Sequence, residues 1–451
     1  MKVGFISLGC NKNLVDTEMM IGLFKDNKFE IENNPSKAEI IIINTCGFIE
    51  SSKEEAINTI LEMAKYKEEG KCKLLIATGC LVERYKEELE KLLPEVDMFI
   101  KYGEYAVEQG KSKETFKKVF EIIFEKFNKK KEHDYNYELS FTNRVFSTGK
   151  NYAYVRIAEG CNNRCTFCAI PYIRGKFVSR KMEDIIEEVE GIVKSGRKEI
   201  VLVAQDTSKY GIDIYGKKKL SELLEKIAKI KGVEWIRFLY TYPEDISDEL
   251  IKVVNKYDNI CKYFDIPIQH ISNNILKKMN RRTTKEDIIK VISKLRKNID
   301  GVIIRTTLMV GFPGEEEKDF NELLEFVERA KFDKLGAFIY SKEDGTPASR
   351  IKTHVNGNTK KKRLKMLMEL QNKISKENNE KLIKKKLKCL IEDISIDNKY
   401  YIGRTYMDTP EIDGLSYIKI DGNPNKDLIG KFKKVEIVDA KEYDIFCKID
   451  K

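Results

Sequence analysis

Between residue 151 and about residue 340, short runs rich in β-branched and aromatic residues alternate six times with segments of helical periodicity. The strand-like runs lie near Tyr152 to Ala158, Ile200 to Ala204, Trp235 to Tyr240, Tyr263 to Ile268, Val302 to Val310 and Lys334 to Tyr340. Helical segments such as Met182 to Lys194, Leu220 to Ile230, Asp287 to Lys297 and Asp319 to Ala330 fall between them. Apolar strands joined by amphipathic helices require a parallel sheet covered by helices, and six consecutive units predict a full or partial βα barrel. Functional loops of such a barrel follow the strand C-termini. Here those loops carry Cys161 to Cys168, Gln205-Asp206-Thr207, Tyr240-Thr241-Tyr242-Pro243, Pro267-Ile268-Gln269-His270, Gly311-Phe312-Pro313-Gly314 and Tyr340-Ser341.

The barrel pattern, assigned to residues 147–375, is flanked on both sides. Residues 1–104 alternate strand-like runs (Val3 to Leu8, Ile40 to Ile43, Lys73 to Ala77, Met98 to Ile100) with helices near Leu14 to Lys25, Ser52 to Lys65 and Val82 to Leu93. This predicts an open parallel βαβ sheet whose ligands sit at the strand C-termini. Residues 105–146 are polar, Lys-rich and Tyr-rich, and are expected to form a helical extension and linker. After a charged helix from about Thr359 to Lys386, residues 376–451 change to five short strands near Leu387 to Ile396, Lys399 to Thr405, Leu415 to Ile420, Phe432 to Val438 and Tyr443 to Lys448. Turn signals such as Asp421-Gly422-Asn423 point to a small antiparallel, OB-like barrel. The fold class is therefore α/β in three domains, in line with 451 residues at about 150 per domain.

A composition of 41% apolar and 35% charged residues excludes a membrane protein and a disordered chain. No stretch approaches the roughly 18 apolar residues of a spanning helix, and the start of the chain lacks a signal h-region, so the expected compartment is the cytoplasm. The net charge of +10 permits contact with RNA without requiring it. Lys129-Lys130-Lys131, Lys360-Lys361-Lys362-Arg363 and Lys384-Lys385-Lys386 are expected to be solvated faces. Residues 387–451 hold eleven Lys/Arg and thirteen Asp/Glu, so the small barrel carries a slight acidic excess while the rest of the chain is basic on balance.

Ten cysteines are too sparse for a disulfide framework, and in a reducing compartment grouped thiols serve metals or redox chemistry. Cys161, Cys165 and Cys168 follow the first barrel strand, where a tight loop can turn three thiolates toward one centre. Soft thiolates at this spacing suit zinc or an iron–sulfur cluster. With three protein ligands a cubane keeps one iron open, whereas a zinc knuckle would need a fourth ligand such as Cys261 or His270. Cys10, Cys46 and Cys80 each stand just beyond a predicted strand of the N-terminal sheet, so their loops share one edge and can cap a second cluster. Cys72, Cys261, Cys389 and Cys447 show no pattern and are taken as structural.

A CxxxCxxC loop after the first strand of a βα barrel resembles the radical-SAM superfamily. Together with the second cysteine set and the small β domain, the chain resembles the methylthiotransferases over nearly its whole length, with their N-terminal domain, radical-SAM core and TRAM domain. This resemblance implies two 4Fe-4S clusters and S-adenosylmethionine. The cluster at Cys161, Cys165 and Cys168 would generate a deoxyadenosyl radical, and that at Cys10, Cys46 and Cys80 would hold or relay sulfur. Two molecules of S-adenosylmethionine would be used, one for methyl transfer and one for hydrogen abstraction. A low-potential electron donor and a sulfur carrier are implied partners. By the same resemblance Phe167 is placed against adenine, and Gln205, Gln269, Gly311 and Pro313 lie where the polar groups of S-adenosylmethionine would reach, although each also suits loop packing. His270 suits either a proton shuttle or a structural role, with the structural one favoured.

Branches of this family modify either adenosine of tRNA or an aspartate of small-subunit ribosomal protein twelve. Ser7-Leu8-Gly9-Cys10-Asn11-Lys12-Asn13-Leu14-Val15-Asp16, Asn44-Thr45-Cys46-Gly47-Phe48-Ile49-Glu50, Gln205-Asp206-Thr207-Ser208-Lys209-Tyr210-Gly211 and Asp408-Thr409-Pro410-Glu411-Ile412-Asp413-Gly414 are similar to the ribosomal-protein branch. That implies methylthiolation of the aspartate β-carbon, on the free protein or within the ribosome or its assembly intermediate. Asn11 departs from the Pro often found there. The acidic tail fits docking of a basic ribosomal protein better than gripping of tRNA phosphates. A tRNA methylthiotransferase and a non-catalytic, metal-stabilised RNA-binding scaffold remain the alternatives.

Overall fold

A computed structural model describes residues 1–130 and 134–450. Of the Lys129 to Lys131 run, Lys131 lies outside the described residues. The N-terminal domain is a five-stranded parallel sheet of β1 (Lys2–Ser7), β2 (Glu30–Ile31), β3 (Ile40–Thr45), β4 (Leu74–Gly79) and β5 (Met98–Lys101), in the spatial order β2-β1-β3-β4-β5. Its helices include α1 (Asn11–Asp26), α2 (Glu50–Ala64), α3 (Tyr66–Glu69) and α4 (Cys80–Leu92). Ile40 to Ile43 and Leu74 to Ala77 are buried throughout, as strands covered on both faces must be. β2, only two residues long, carries too little pattern to be read from sequence.

The barrel is built from β6 (Tyr152–Arg156), then the short ribbon strands β7 (Ala158–Glu159) and β8 (Val178–Ser179), then β9 (Glu199–Val203), β10 (Trp235–Phe238), β11 (Tyr263–Asp265), β12 (Ile303–Val310) and β13 (Lys334–Ile339). The run expected as one strand from Tyr152 to Ala158 breaks at Ile157, because β7 turns away from β9 to pair antiparallel with β8. β6-β9-β10 and β11-β12-β13 form two parallel three-stranded halves, joined by a bridge between Ile236 and Ile260. The result is the six-stranded partial barrel expected, with a buried apolar core including Ile200, Leu202, Ile236, Phe264, Ile304 and Leu308.

β14 (Lys386–Ile394), β15 (Tyr400–Thr405), β16 (Ser416–Lys419), β17 (Phe432–Ala440) and β18 (Ile445–Ile449) close into a barrel. Contrary to the expectation of a wholly antiparallel barrel, β16 and β18 run parallel. A closed ring of five strands has no alternative: an odd number cannot alternate direction at every pair.

The small barrel plugs the end of the large barrel where the strands begin. Tyr152, at the start of β6, donates to Glu411 Oε1 at 2.6 Å, Tyr263 of β11 to Asp413 Oδ2 at 2.6 Å, and Lys334 of β13 to Asp408 Oδ1 at 2.6 Å. Arg404 reaches Glu199 Oε2 at 2.7 Å while Glu392 holds its other edge, and Trp235 meets Phe432 edge to face at 4.8 Å. Glu392, Asp408, Glu411 and Asp413 are thus turned inward with Arg404. The tail's other nine acids face ten bases, which removes the acidic excess as an argument for a basic partner. Arg363 likewise departs from the solvated face expected of its run: it is buried and paired with Glu315 at 2.6 Å. Lys384 to Lys386 are exposed, as a solvated run should be, and form a turn into the barrel in which Lys384 has a left-handed backbone and Lys386 opens β14. Among the described residues no helix is long and apolar enough to cross a membrane.

Candidate functional site

α1 is buried nearly all round, yet much of what it buries is polar. Its apolar side chains, Val15, Met19 and Leu23 among them, pack with the N-terminal sheet, while Asn13, Asp16 and Glu18 meet the barrel and linker. Asn13 Nδ2 donates to the Leu8 carbonyl at 2.7 Å, and its Oδ1 accepts from Arg174 at 2.9 Å. Asp16 takes Arg156 on one oxygen and Arg174 at 2.7 Å on the other. Glu18 receives Arg144 at 2.9 Å, and Arg144 reaches Glu188 of the barrel at 2.8 Å. These charges are almost fully buried, so each has to be paired to be tolerated. α1 therefore fixes the sheet to the barrel through an ion lattice.

Cys10, Cys46 and Cys80 follow the adjacent parallel strands β1, β3 and β4, with Ser7 level with Asn44 and Thr45 level with Gly79. Their loops accordingly come together at one sheet edge. Gly9, at φ +86°, is packed so closely that a Cβ would stand 2.6 Å from Cys46 Cβ, and a Cβ at Gly79 would run into Asn44 and Thr45. Cys10 is exposed, and Cys46 and Cys80 are buried. Burial pushes the Cys80 thiol up to about 12 against the opposing field of Arg174, and raises that of Cys46.

Cys161, Cys165 and Cys168 sit on the loop between β7 and β8. Cys161 N donates to the Gly175 carbonyl at 3.1 Å, Thr166 N to the Met279 carbonyl at 3.0 Å, and Asn163 Nδ2 to Asp206 at 2.7 Å, which ties the loop to the barrel rim. The Cys165 thiol stands 3.8 Å from Tyr242 Oη and 3.7 Å from Arg281. Burial lifts the Cys161 thiol to about 11 and that of Cys168 to about 12, with the neighbouring charge of Cys165 raising both. Such thiols ionise only when a cation joins them. Among the described residues no three His, Cys, Asp or Glu side chains converge on a single ion. Cys261 lies at the plugged end near Arg237, Glu199 and Arg404, and His270 Nδ1 accepts from Ser272 N at 3.0 Å, so neither completes a zinc site with the loop.

Arg174 connects the two triads. It lies on the same loop as Cys168, its guanidinium stacks 3.8 Å from the Tyr102 ring centroid, and it donates to Cys80 Sγ at 3.4 Å. Glu159, immediately before the first loop glycine, accepts from Gly160 N at 3.0 Å and lies 3.2 and 3.3 Å from Arg156 and Arg174. Burial alone would raise its carboxyl, but the two guanidinia hold it below the usual range. Sequence reasoning did not single out Glu159, or Arg174, whose partners are mostly far away in the chain.

Of the weaker sequence candidates, Phe167 packs edge to face on Phe312 at 6.5 Å. Gln205 donates to Glu159 and leaves its buried Oε1 without a protein partner, as does Gln269, which has a left-handed backbone at φ 70°. Gly311 N donates to Glu315 at 2.7 Å, and the turn continues through buried Pro313. His270 is wholly buried, and burial pulls its pKa down to about 3, which fits the structural role rather than a shuttle. Unfolding at pH between about 3 and 6.5 gives this imidazole a proton, so its support for the fold is complete above pH 6.5 and falls away as pH drops toward 3. Between pH 6.5 and about 5, His270→Gln is expected to lose roughly 1.5 kcal/mol less stability than the parent in urea unfolding. Equal losses would show that His270 titrates normally.

Residues 155–327 match the radical SAM superfamily, residues 2–101 an uncharacterised protein family, UPF0004, and residues 383–449 the TRAM domain. The chain is 55% identical over 449 residues to ribosomal protein uS12 methylthiotransferase RimO of Alkaliphilus oremlandii, covering 100% of this chain and 99% of that one. It is 50% identical to the protein of the same name from Clostridioides difficile, covering 99% and 98%. The radical S-adenosylmethionine methyltransferase TsrM from Kitasatospora setae shares the fold at 12% identity, with a TM-score of 0.56 over 77% of this chain and 76% of that one. Radical-SAM proteins use a 4Fe-4S cluster and S-adenosylmethionine, and full-length identity at this level places the chain in the RimO family of radical-SAM methylthiotransferases.

Proposed function

We propose that the chain methylthiolates the β-carbon of an aspartate in ribosomal protein uS12, the protein named in its relatives' titles. In this reading Cys161, Cys165 and Cys168 hold the cluster that binds S-adenosylmethionine, and Cys10, Cys46 and Cys80 hold a second 4Fe-4S cluster that carries sulfur. The observation that supports it most is the linkage of two sets of three thiols through Arg174, one set from the loops after the parallel strands β1, β3 and β4 and the other from the loop between β7 and β8. When bound, an open-iron cubane with S-adenosylmethionine supplies a deoxyadenosyl radical able to remove hydrogen from an unactivated carbon.

The chain's own part is positioning. Asp206 and Glu159 steady the loop of the first triad, and Gln205 and Gln269 offer free acceptors for the amino group of S-adenosylmethionine. The small barrel closes the far end of the large one, which keeps substrate and solvent from entering on that side. A low-potential electron donor, a sulfur carrier and uS12 itself, free or in the ribosome, are the partners this chemistry needs, and the cytoplasm is where they meet.

The reading is tested by anaerobic reconstitution with iron and sulfide, followed by S-adenosylmethionine and dithionite, with small ribosomal subunits and undermodified tRNA offered in parallel. A methylthio gain on a single aspartyl residue of uS12, detected by mass spectrometry, is expected. The same gain on adenosine would overturn the substrate, and absence of deoxyadenosine would overturn the chemistry.

A further inference from the structure

Among the described residues near the mouth, one lysine is buried without a carboxylate partner. Arg144, Arg156, Arg174 and Arg180 each pair with carboxylates at van der Waals contact. Lys12 does not, although it is only 8% exposed. Its Nζ makes one long hydrogen bond, 3.4 Å to the amide oxygen of Asn11, and lies 4.0 Å from the centroid of the Tyr240 ring. No carboxylate among the described residues is within ion-pair distance of it. Of the acidic groups that act on it, Tyr240 and Cys10 come first, and the carboxylate among them, Glu159, has both oxygens engaged by Gly160, Gln205, Arg156 and Arg174. Asp16, one turn further along α1, is held by Arg156 and Arg174.

An ammonium kept out of water with no carboxylate beside it is unfavourable, so a site that retains one is arranged for an anion that arrives later. The position identifies the anion. Lys12 follows Cys10 of one triad by two residues, and Tyr240 stands at the mouth of the barrel that carries the other triad. Tyr240 holds the left-handed backbone at φ 61°, unusual for an aromatic residue, with its N–H fixed by Asp265 at 3.1 Å. That strain sets its ring beneath the ammonium.

We propose that Lys12 recognises the side-chain carboxylate of the substrate aspartate, an assignment that rests on the reading of the substrate given above. The carboxylate carbon is bonded directly to the β-carbon, so a cation holding the one places the other between the radical source and the sulfur source. Asparagine, of the same shape but without the charge, binds less well at such a site. Lys12 thus makes the mouth selective for an acidic residue.

The test uses the full-length, anaerobically reconstituted protein and two fluorescent peptides, one spanning the target aspartate of uS12 and one with asparagine in its place. The parent is expected to bind the aspartate peptide about ten- to a hundredfold more tightly. In Lys12→Gln and Lys12→Met that ratio falls to about one, and Lys12→Arg restores part of it. Iron content and the paramagnetic resonance signal of the Cys10 cluster, read in a Cys165→Ala background, stay as in the parent. A ratio that survives in Lys12→Gln would overturn the assignment while leaving the substrate reading intact. Loss or alteration of the Cys10 cluster would overturn it in favour of a lysine that serves the cluster's own charge. A parent protein that binds neither peptide would overturn the substrate reading and this assignment together.

Discussion

Cys165→Ala is expected to reduce deoxyadenosine formation from S-adenosylmethionine to background and to lower iron from about eight to about four atoms per chain. Three thiolates are the fewest that hold a cubane and still leave one iron for the substrate, so removing one loses the cluster. The fold does not depend on that thiol. Its polar contacts are long, 3.8 Å to Tyr242 and 3.7 Å to Arg281, and the loop is anchored by backbone bonds from Cys161 to Gly175 and from Thr166 to Met279. Urea unfolding of the metal-free protein, followed by the single tryptophan, Trp235, should therefore shift by about 1 kcal/mol or less. A metal-stabilised scaffold predicts the reverse, a large loss of stability with no catalytic activity to lose. Cys46→Ala separates the two triads: deoxyadenosine release persists and methylthio transfer stops. Persistent radical formation in Cys165→Ala would remove this triad from the mechanism.

The chemistry was legible in the sequence wherever it lay in local spacing or in equivalent places on repeated units. CxxxCxxC is local, and Cys10, Cys46 and Cys80 follow β1, β3 and β4 in the same way, so reading the strands was enough to group them. Arg174 was not legible, because its partners Asp16, Cys80 and Asn13 are 94 to 161 residues away and a lone arginine has no periodicity. The polar, Lys-rich linker reads as a helical extension, and a helix does run over Ser112–Lys126. What composition does not show is its docking: Phe116, Val119, Phe120 and Ile123 recur at helical spacing and pack into the core shared with α1 and the N-terminal sheet. Beyond that helix, the segment from Asn136 to Ser147 straps α1, with Asn27 bonded to the Asn136 carbonyl at 2.6 Å and Glu18 accepting from Ser147 N at 2.8 Å. Tail charge failed for a related reason: a sequence gives the number of carboxylates but not the side they face, and Asp408 and Asp413 face the barrel.

Asp16→Asn is expected to uncouple the two halves of the reaction. Asp16 is the one carboxylate of α1 that holds both Arg156 and Arg174, and through Arg174 it fixes the distance between the loop of Cys168 and Cys80. The substitution keeps the volume and removes the charge. Two fully buried guanidinia are then left to Glu108 and Glu159, and removing one partner from a buried ion pair costs about 3 to 5 kcal/mol. Most of that loss falls on the docking of sheet to barrel, since Asp16 belongs to α1 of the sheet domain and both guanidinia that it holds belong to the barrel. Deoxyadenosine release, which needs only the barrel, should stay within about twofold of the parent. Methylthio transfer needs both triads in register and should fall about a hundredfold, the usual penalty for reacting groups displaced by an ångström or so. Product analysis by mass spectrometry reads both quantities in one reaction, and urea unfolding reads the stability. If the two products decline together, Asp16 supports the barrel itself; if neither declines, the ion lattice does not set the distance between the clusters.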